Sequence, residues 1–138
     1  MRKLISYFSI LSILIVAFNF TVVAQNDSQV SAQLVFPVEQ MAKQNSYEIL
    51  IKIEIEDPWH INSNQPLEDF LIGTEISFES VEGLTFGKIK FPEPELKTFA
   101  FSEGEMSVYE GTIYALSTVT VSPNVELEQI NIIGYVYY

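Results

Sequence analysis

Few side chains in this sequence could do chemistry, and the most promising stand next to each other. His60 is the only histidine and it follows the only tryptophan, Trp59. A histidine can act as general acid or base, activate a nucleophile or bind a metal. Activating a nucleophile takes a serine or cysteine on a recognisable turn, and no such motif is present. Zinc takes three or four N, S or O ligands, and one histidine among scattered carboxylates does not supply them. Packing within a loop is therefore the reading for His60. Trp59 has two readings, a platform on which a ligand such as a sugar ring stacks, and a corner aromatic of a β-sandwich. Carboxylates pair at Glu54/Glu56, Glu68/Asp69, Glu93/Glu95 and Glu103/Glu105. On strands the i, i+2 spacing puts both on one solvated face, whereas a glycosidase sets two across a cleft. No calcium loop of the D-x-[DN]-x-[DN]-G kind and no glycine-rich phosphate loop occurs. No catalytic residue, cofactor site or metal site is expected. Phe99, Phe101, Tyr109, Tyr114, Tyr135, Tyr137 and Tyr138 could line a partner surface, but core filling is expected to account for most of them.

The elements that must position these residues read as strands. Ile49, Ile51, Ile53 and Ile55 alternate with Glu48, Leu50, Lys52, Glu54 and Glu56, a β-branched face backed by a largely charged one. Asp57-Pro58 breaks that strand, so Trp59 and His60 fall just past its end. Val30, Ala32, Leu34 and Phe36 make an earlier strand that stops at Pro37. Later strands are expected at Thr74–Glu79, with Ile76 and Phe78 inward, at Leu84–Phe91, with a bulge at Gly87, and at Lys97–Phe101. Val108–Leu116 and Ser117–Val121 read as β-rich, one strand with a bend. A last strand runs from Val125 or Leu127 to Tyr138. Pro58–Gly73 has weak strand character and reads as a crossing between sheets or a loop over one end. No window makes an amphipathic helix. Short strands with turn signals every 8–12 residues argue for an all-β, immunoglobulin-like antiparallel sandwich. The closing run Ile130, Ile132, Ile133, Tyr135, Val136, Tyr137 and Tyr138 has no polar tail, which suggests a strand in the sheet centre or a chain cut short.

One domain is expected, preceded by two short segments: a signal peptide over 1–24, a short polar leader over 25–29 and one sandwich over 30–138. Arg2 and Lys3 precede an apolar run from Leu4, and Val22-Val23-Ala24 offers a cleavage site before polar Gln25. An uncleaved anchor is the rival, since Leu4–Ala24 is long enough to span a bilayer; membrane contact is expected only that way. The formal net charge is −11, and the mature part is more acidic still, because every acidic residue lies after residue 24. Such a chain repels nucleic acid and anionic lipid. It has no cysteine, which excludes disulfides, thiol redox chemistry and thiolate metal sites in the sequence as it stands.

Several segments carry a family resemblance. Pro58-Trp59-His60-Ile61-Asn62-Ser63-Asn64-Gln65-Pro66 resembles the W-H-I-x-S-x-x-P-like segment of the N-terminal periplasmic domain of the thiol:disulfide interchange protein DsbD, also called the disulfide bond corrector family. Leu71–Thr74 resembles its P-T-x-I stretch, with Gly73 where proline is usual. Phe91-Pro92-Glu93-Pro94 is similar to its K-x-P-x-P-like turn, Val108-Tyr109-Glu110-Gly111 to V-Y-E-G, and Gly134-Tyr135-Val136-Tyr137-Tyr138 to G-x-V-x-Y. The match spans about residues 30–138.

The resemblance implies an immunoglobulin-like sandwich in the periplasm that takes electrons from a membrane-embedded donor domain through a cysteine pair. It would pass them to periplasmic thiol-disulfide proteins for disulfide reduction and cytochrome c maturation. The family's cysteines follow the G-x-V-x-Y strand, and no position here matches either, so no catalytic residue carries over. Two expectations follow: a fragment of a relay domain that lacks the cysteine hairpin, which is the favoured one, or a redox-inactive docking module. A carbohydrate-binding sandwich built on Trp59 is a third. The partner surface is expected at Trp59, His60, Asn62 and Asn64.

Overall fold

The computed structural model describes residues 28–125 and 130–138. The expected signal peptide, most of the leader and residues 126–129 of the expected last strand lie outside them. The described residues form nine strands and contain no helix. They are β1 (Val30–Val35), β2 (Ser46–Ile55), β3 (Ile61–Asn62), β4 (Glu75–Phe78), β5 (Leu84–Phe86), β6 (Glu95–Thr98), β7 (Glu105–Tyr109), β8 (Thr112–Val121) and β9 (Gly134–Tyr137). Every pairing among them is antiparallel. They make a four-stranded sheet β1-β2-β8-β5, a three-stranded sheet β3-β7-β6 and a two-stranded sheet β4-β9.

The alternation in β2 sets the core. Ile49, Ile51, Ile53 and Ile55 are all at most 5 % exposed. The register puts Ile51 opposite Ala115 and Ile53 opposite Ile113, so the apolar faces of β2 and β8 coincide. Each fully buried isoleucine contributes roughly 1.5–3 kcal/mol. A single cluster joins Ile51, Ile53, Ile55 and Ala115 to Ile61 and Tyr109 of the second sheet. Ile76, Phe78 and Val136 of the third sheet pack against it. The fold is therefore an all-β sandwich with one shared interior, as its strand pattern implies. Ser107, Val108 and Tyr109 are all buried. Successive strand residues point to opposite faces, so β7 is covered on both.

Several elements depart from the sequence reading. Val108–Leu116 is not continuous: β7 stops at Tyr109 and β8 starts at Thr112. The break falls at Gly111, whose φ of 62° is a left-handed conformation that glycine adopts without strain. There the chain leaves one sheet for the other, and the Gly111 carbonyl accepts the Ile55 N–H at 2.8 Å. From Thr112 a single strand of ten residues runs to Val121, so Ser117–Val121 is its second half. The strand expected at Lys97–Phe101 lies at Glu95–Thr98, and Phe99–Ser102 closes a turn instead. The Leu84–Phe91 strand shrinks to Leu84–Phe86 plus a bridge between Lys90 and Leu116. Between the Phe86–Val119 pair and that bridge, the β5 side holds one residue more than the β8 side, which is a bulge within residues 87–89. A Cβ on Gly87 would meet Thr118 Oγ1 at 2.2 Å. The last strand is Gly134–Tyr137 and pairs with β4 alone, not in a sheet centre. Tyr114, Tyr135, Tyr137 and Tyr138 are exposed, so core filling accounts for Tyr109 but not for them.

Candidate functional site

After β2 the chain turns at Asp57-Pro58, and the Trp59 N–H donates to the Glu56 carbonyl at 2.7 Å. It then joins β7, with Ile61 opposite Tyr109 and Asn62 opposite Val108. Ile61 points into the core, so strand alternation turns His60 and Asn62 the other way. The next residue continues the ladder: the Ser63 N–H donates to the Ser107 carbonyl at 2.8 Å. The two serine hydroxyls, both buried, meet at 2.8 Å, and the Ser63 Oγ also accepts the Gln65 N–H at 3.1 Å.

The two asparagines are tied into the chain. Asn62 Nδ2 donates to the Ile72 carbonyl at 2.9 Å, and the Asn62 carbonyl accepts the Thr74 hydroxyl at 2.5 Å. These bonds, with the Thr74 N–H to the Ser63 carbonyl at 3.1 Å, clamp the base of the 63–73 loop. Asn64 Oδ1 accepts the Tyr109 hydroxyl at 2.7 Å, and that hydroxyl lies 3.1 Å from the Pro92 carbonyl. Burial pushes the Tyr109 phenol above its ordinary value, and the nearby Glu93 charge adds to the effect.

Each residue of Val108-Tyr109-Glu110-Gly111 thus has a separate structural task. Val108 fills one face of β7, and Tyr109 bonds Asn64 from the other. Gly111 supplies the sheet-to-sheet turn. Glu110 takes the Lys97 ammonium, which also pairs with Glu95 at 3.1 Å. The Lys97 pKa is raised chiefly by its bond to Glu110 and then by that to Glu95. Phe91 lies nearly parallel to Tyr109 with centroids 6.2 Å apart. Three motif segments far apart in the chain therefore converge on one phenol.

His60 and Trp59 reach the surface. Trp59 is 55 % exposed. His60, partly buried, lies against a partner that its sequence neighbourhood does not announce, the turn after β6. The ring centroids of His60 and Phe99 are 4.1 Å apart, those of Phe99 and Phe101 5.2 Å, and those of His60 and Phe101 6.1 Å. All three rings are within 17° of parallel. Ser102 fixes the turn. Its N–H donates to the Phe99 carbonyl at 3.0 Å, its Oγ accepts the Phe99 N–H at 2.9 Å, and its hydroxyl lies 2.8 Å from the Gly104 carbonyl. Phe101 is left 71 % exposed. The structure thus brings His60 together with Phe99 and Phe101, and turns the polar side-chain atoms of Asn62 and Asn64 to intrachain bonds. The signal for this surface was the Phe-Ala-Phe run before Glu103-Gly104, where two large apolar residues stand at a turn.

Glu54 pairs with Lys52 at 2.8 Å, and Glu95 with Lys97. Among the described residues, no three of His, Cys, Asp and Glu come close enough together to hold a metal. No helix among them is long and apolar enough to cross a membrane. A family model described as thiol:disulfide interchange protein DsbD, N-terminal, matches residues 25–132. No curated protein and no solved structure matches the chain.

Proposed function

The chain belongs to the family of DsbD N-terminal domains, a family of periplasmic thiol-disulfide relay domains, and from that premise we propose that it acts outside the cytoplasm as the scaffold and partner-docking surface of such a relay. The observation that carries this reading is the family match over residues 25–132, nearly all of the proposed mature domain. Arg2 and Lys3, the apolar run after them and the small residues before Gln25 support export. The docking surface is proposed at Trp59 and His60, with Asn62 and Asn64 holding the segment that carries them. Its partners are periplasmic thiol-disulfide proteins or a membrane electron-donor domain, in disulfide reduction and cytochrome c maturation.

The sequence has no cysteine, and thiol–disulfide exchange requires a thiolate to attack a disulfide sulfur. That absence favours a second reading, a redox-inactive docking module that uses the same surface. Intact mass and alkylation of the protein from its native source separate the two: reactive thiols support the relay, and a mass equal to residues 25–138 supports the module. A photo-crosslinking residue at exposed Ala100, beside the rings that stack on His60, in the full chain and in its native host, tests the docking itself. Captured proteins that carry a redox-active cysteine pair support it. Capture of nothing, or only of proteins without such a pair, refutes it.

A further inference from the structure

We propose that the His60–Phe99–Phe101 stack is a seat for a cationic side chain, an arginine or lysine presented by a basic partner polypeptide. The proposal rests on the docking reading above and names the chemistry of its partner. Aromatic faces carry negative charge density and attract a cation placed over them, and a flat guanidinium also stacks on the ring. Here three near-parallel rings are already stacked on one another, and the most exposed of them, Phe101 at 71 %, offers its ring to solvent on a turn that Ser102 bonds shut. A seat fixed before binding loses little side-chain freedom when it is filled.

The charges around the stack select the sign of the partner. Exposed Glu103 and Glu105 follow Phe101 on the same turn and strand, and exposed Glu56 and Asp57 precede Trp59 and His60. The basic residue nearest in sequence to Phe99 is Lys97, whose ammonium is held between Glu110 and Glu95. No other Lys or Arg lies between Glu54 and Pro66 or between Phe91 and Val121. A chain of net charge −11 adds long-range attraction for a basic surface and repels an acidic one.

The test titrates the full chain with a capped hexapeptide of alternating glycine and arginine, and with its glutamate counterpart, following amide and imidazole NMR shifts. The arginine peptide should shift His60, Phe99 and Phe101 signals, and added salt should weaken it. Phe101→Ala should weaken binding by about two- to fivefold, the size of an exposed cation–aromatic contact. Glu103→Gln with Glu105→Gln should weaken it further. Phe101 is exposed, so its variant keeps the fold, and Tyr114→Ala on β8 should leave binding unchanged. Equal binding of the glutamate peptide, no binding of the arginine peptide, or no effect of Phe101→Ala overturns the proposal. Failure of the relay reading looks different. Arginine binding without crosslinked cysteine-pair proteins keeps the seat and removes the relay, whereas capture of such proteins without arginine binding removes only the seat.

Discussion

Replacing Tyr109 with phenylalanine tests how the motif segments are held together. The ring of Tyr109 is 2 % exposed and belongs to the core cluster, and phenylalanine keeps it. Only the hydroxyl is lost, and with it the bond to Asn64 Oδ1 at 2.7 Å and the longer contact with the Pro92 carbonyl at 3.1 Å. A neutral hydrogen bond contributes about 1 kcal/mol net. Asn64 is only partly buried, so water can reach its freed oxygen and keep the cost near that figure. For a domain of this size the melting temperature should fall by about 4 °C. The pH dependence gives a sharper test. An unfolded tyrosine titrates near pH 10, and burial raises Tyr109 above that in the fold. The folded protein then holds the proton more tightly than the unfolded chain. This contribution is complete below about pH 10 and is lost as pH rises through the folded value. Phenylalanine has no proton to lose. Denaturant unfolding followed by circular dichroism from pH 7 to 11 should show wild type ahead by a constant margin up to about pH 9, with the gap closing above pH 10. Other tyrosines titrate alike in both proteins and cancel in the difference. Equal stability at pH 7, or a gap that stays constant to pH 11, would refute the assignment.

Two further outcomes follow from the packing. Ser63→Ala removes the partner of the buried Ser107 hydroxyl and should cost about 1–3 kcal/mol; adding Ser107→Ala should cost less than the two single changes summed, and strict additivity in denaturation would show that the pair is not coupled. Gly87→Ala forces a Cβ against Thr118 Oγ1 and should cost about 1–3 kcal/mol, most of it recovered in a Thr118→Ala background. An equal loss in both backgrounds would place the strain in the backbone instead.

The central strand was legible because alternation and burial coincide in it: the isoleucines of β2 are both its pattern and its core. The bulge within residues 87–89 was legible to within a residue or two for a local reason too, a glycine inside an apolar run. The break at Glu110-Gly111 was not, since apolar residues continue on both sides of it and periodicity does not record a change of sheet. The site was half legible. The Trp59–Asn64 segment could be singled out by its motif, but His60 meets Phe99 across about 40 residues of chain, and no local pattern encodes that contact. Likewise nothing in the sequence tells that Asn62 and Asn64 are bonded to Ile72 and Tyr109. The tyrosines of β9 misled because aromatic content was read as core, while a two-stranded sheet leaves one face in water.

The pairing of β2 with β8 has a consequence for how the chain acquires its structure. Ser46 lies opposite Thr120, 74 residues later in the chain. A chain that emerges amino end first therefore presents the isoleucine strip of β2 with one edge unpaired long before β8 exists to pair with it. Non-local closure of this kind is slow, and in the interval an apolar strip is an invitation to self-association. Glu48, Lys52 and Glu54 on the alternate face interrupt that strip with charge, the placement expected of gatekeepers against aggregation. Their value lies in the unfinished protein, so neutralising them should raise aggregation during refolding far more than it lowers the stability of the finished domain.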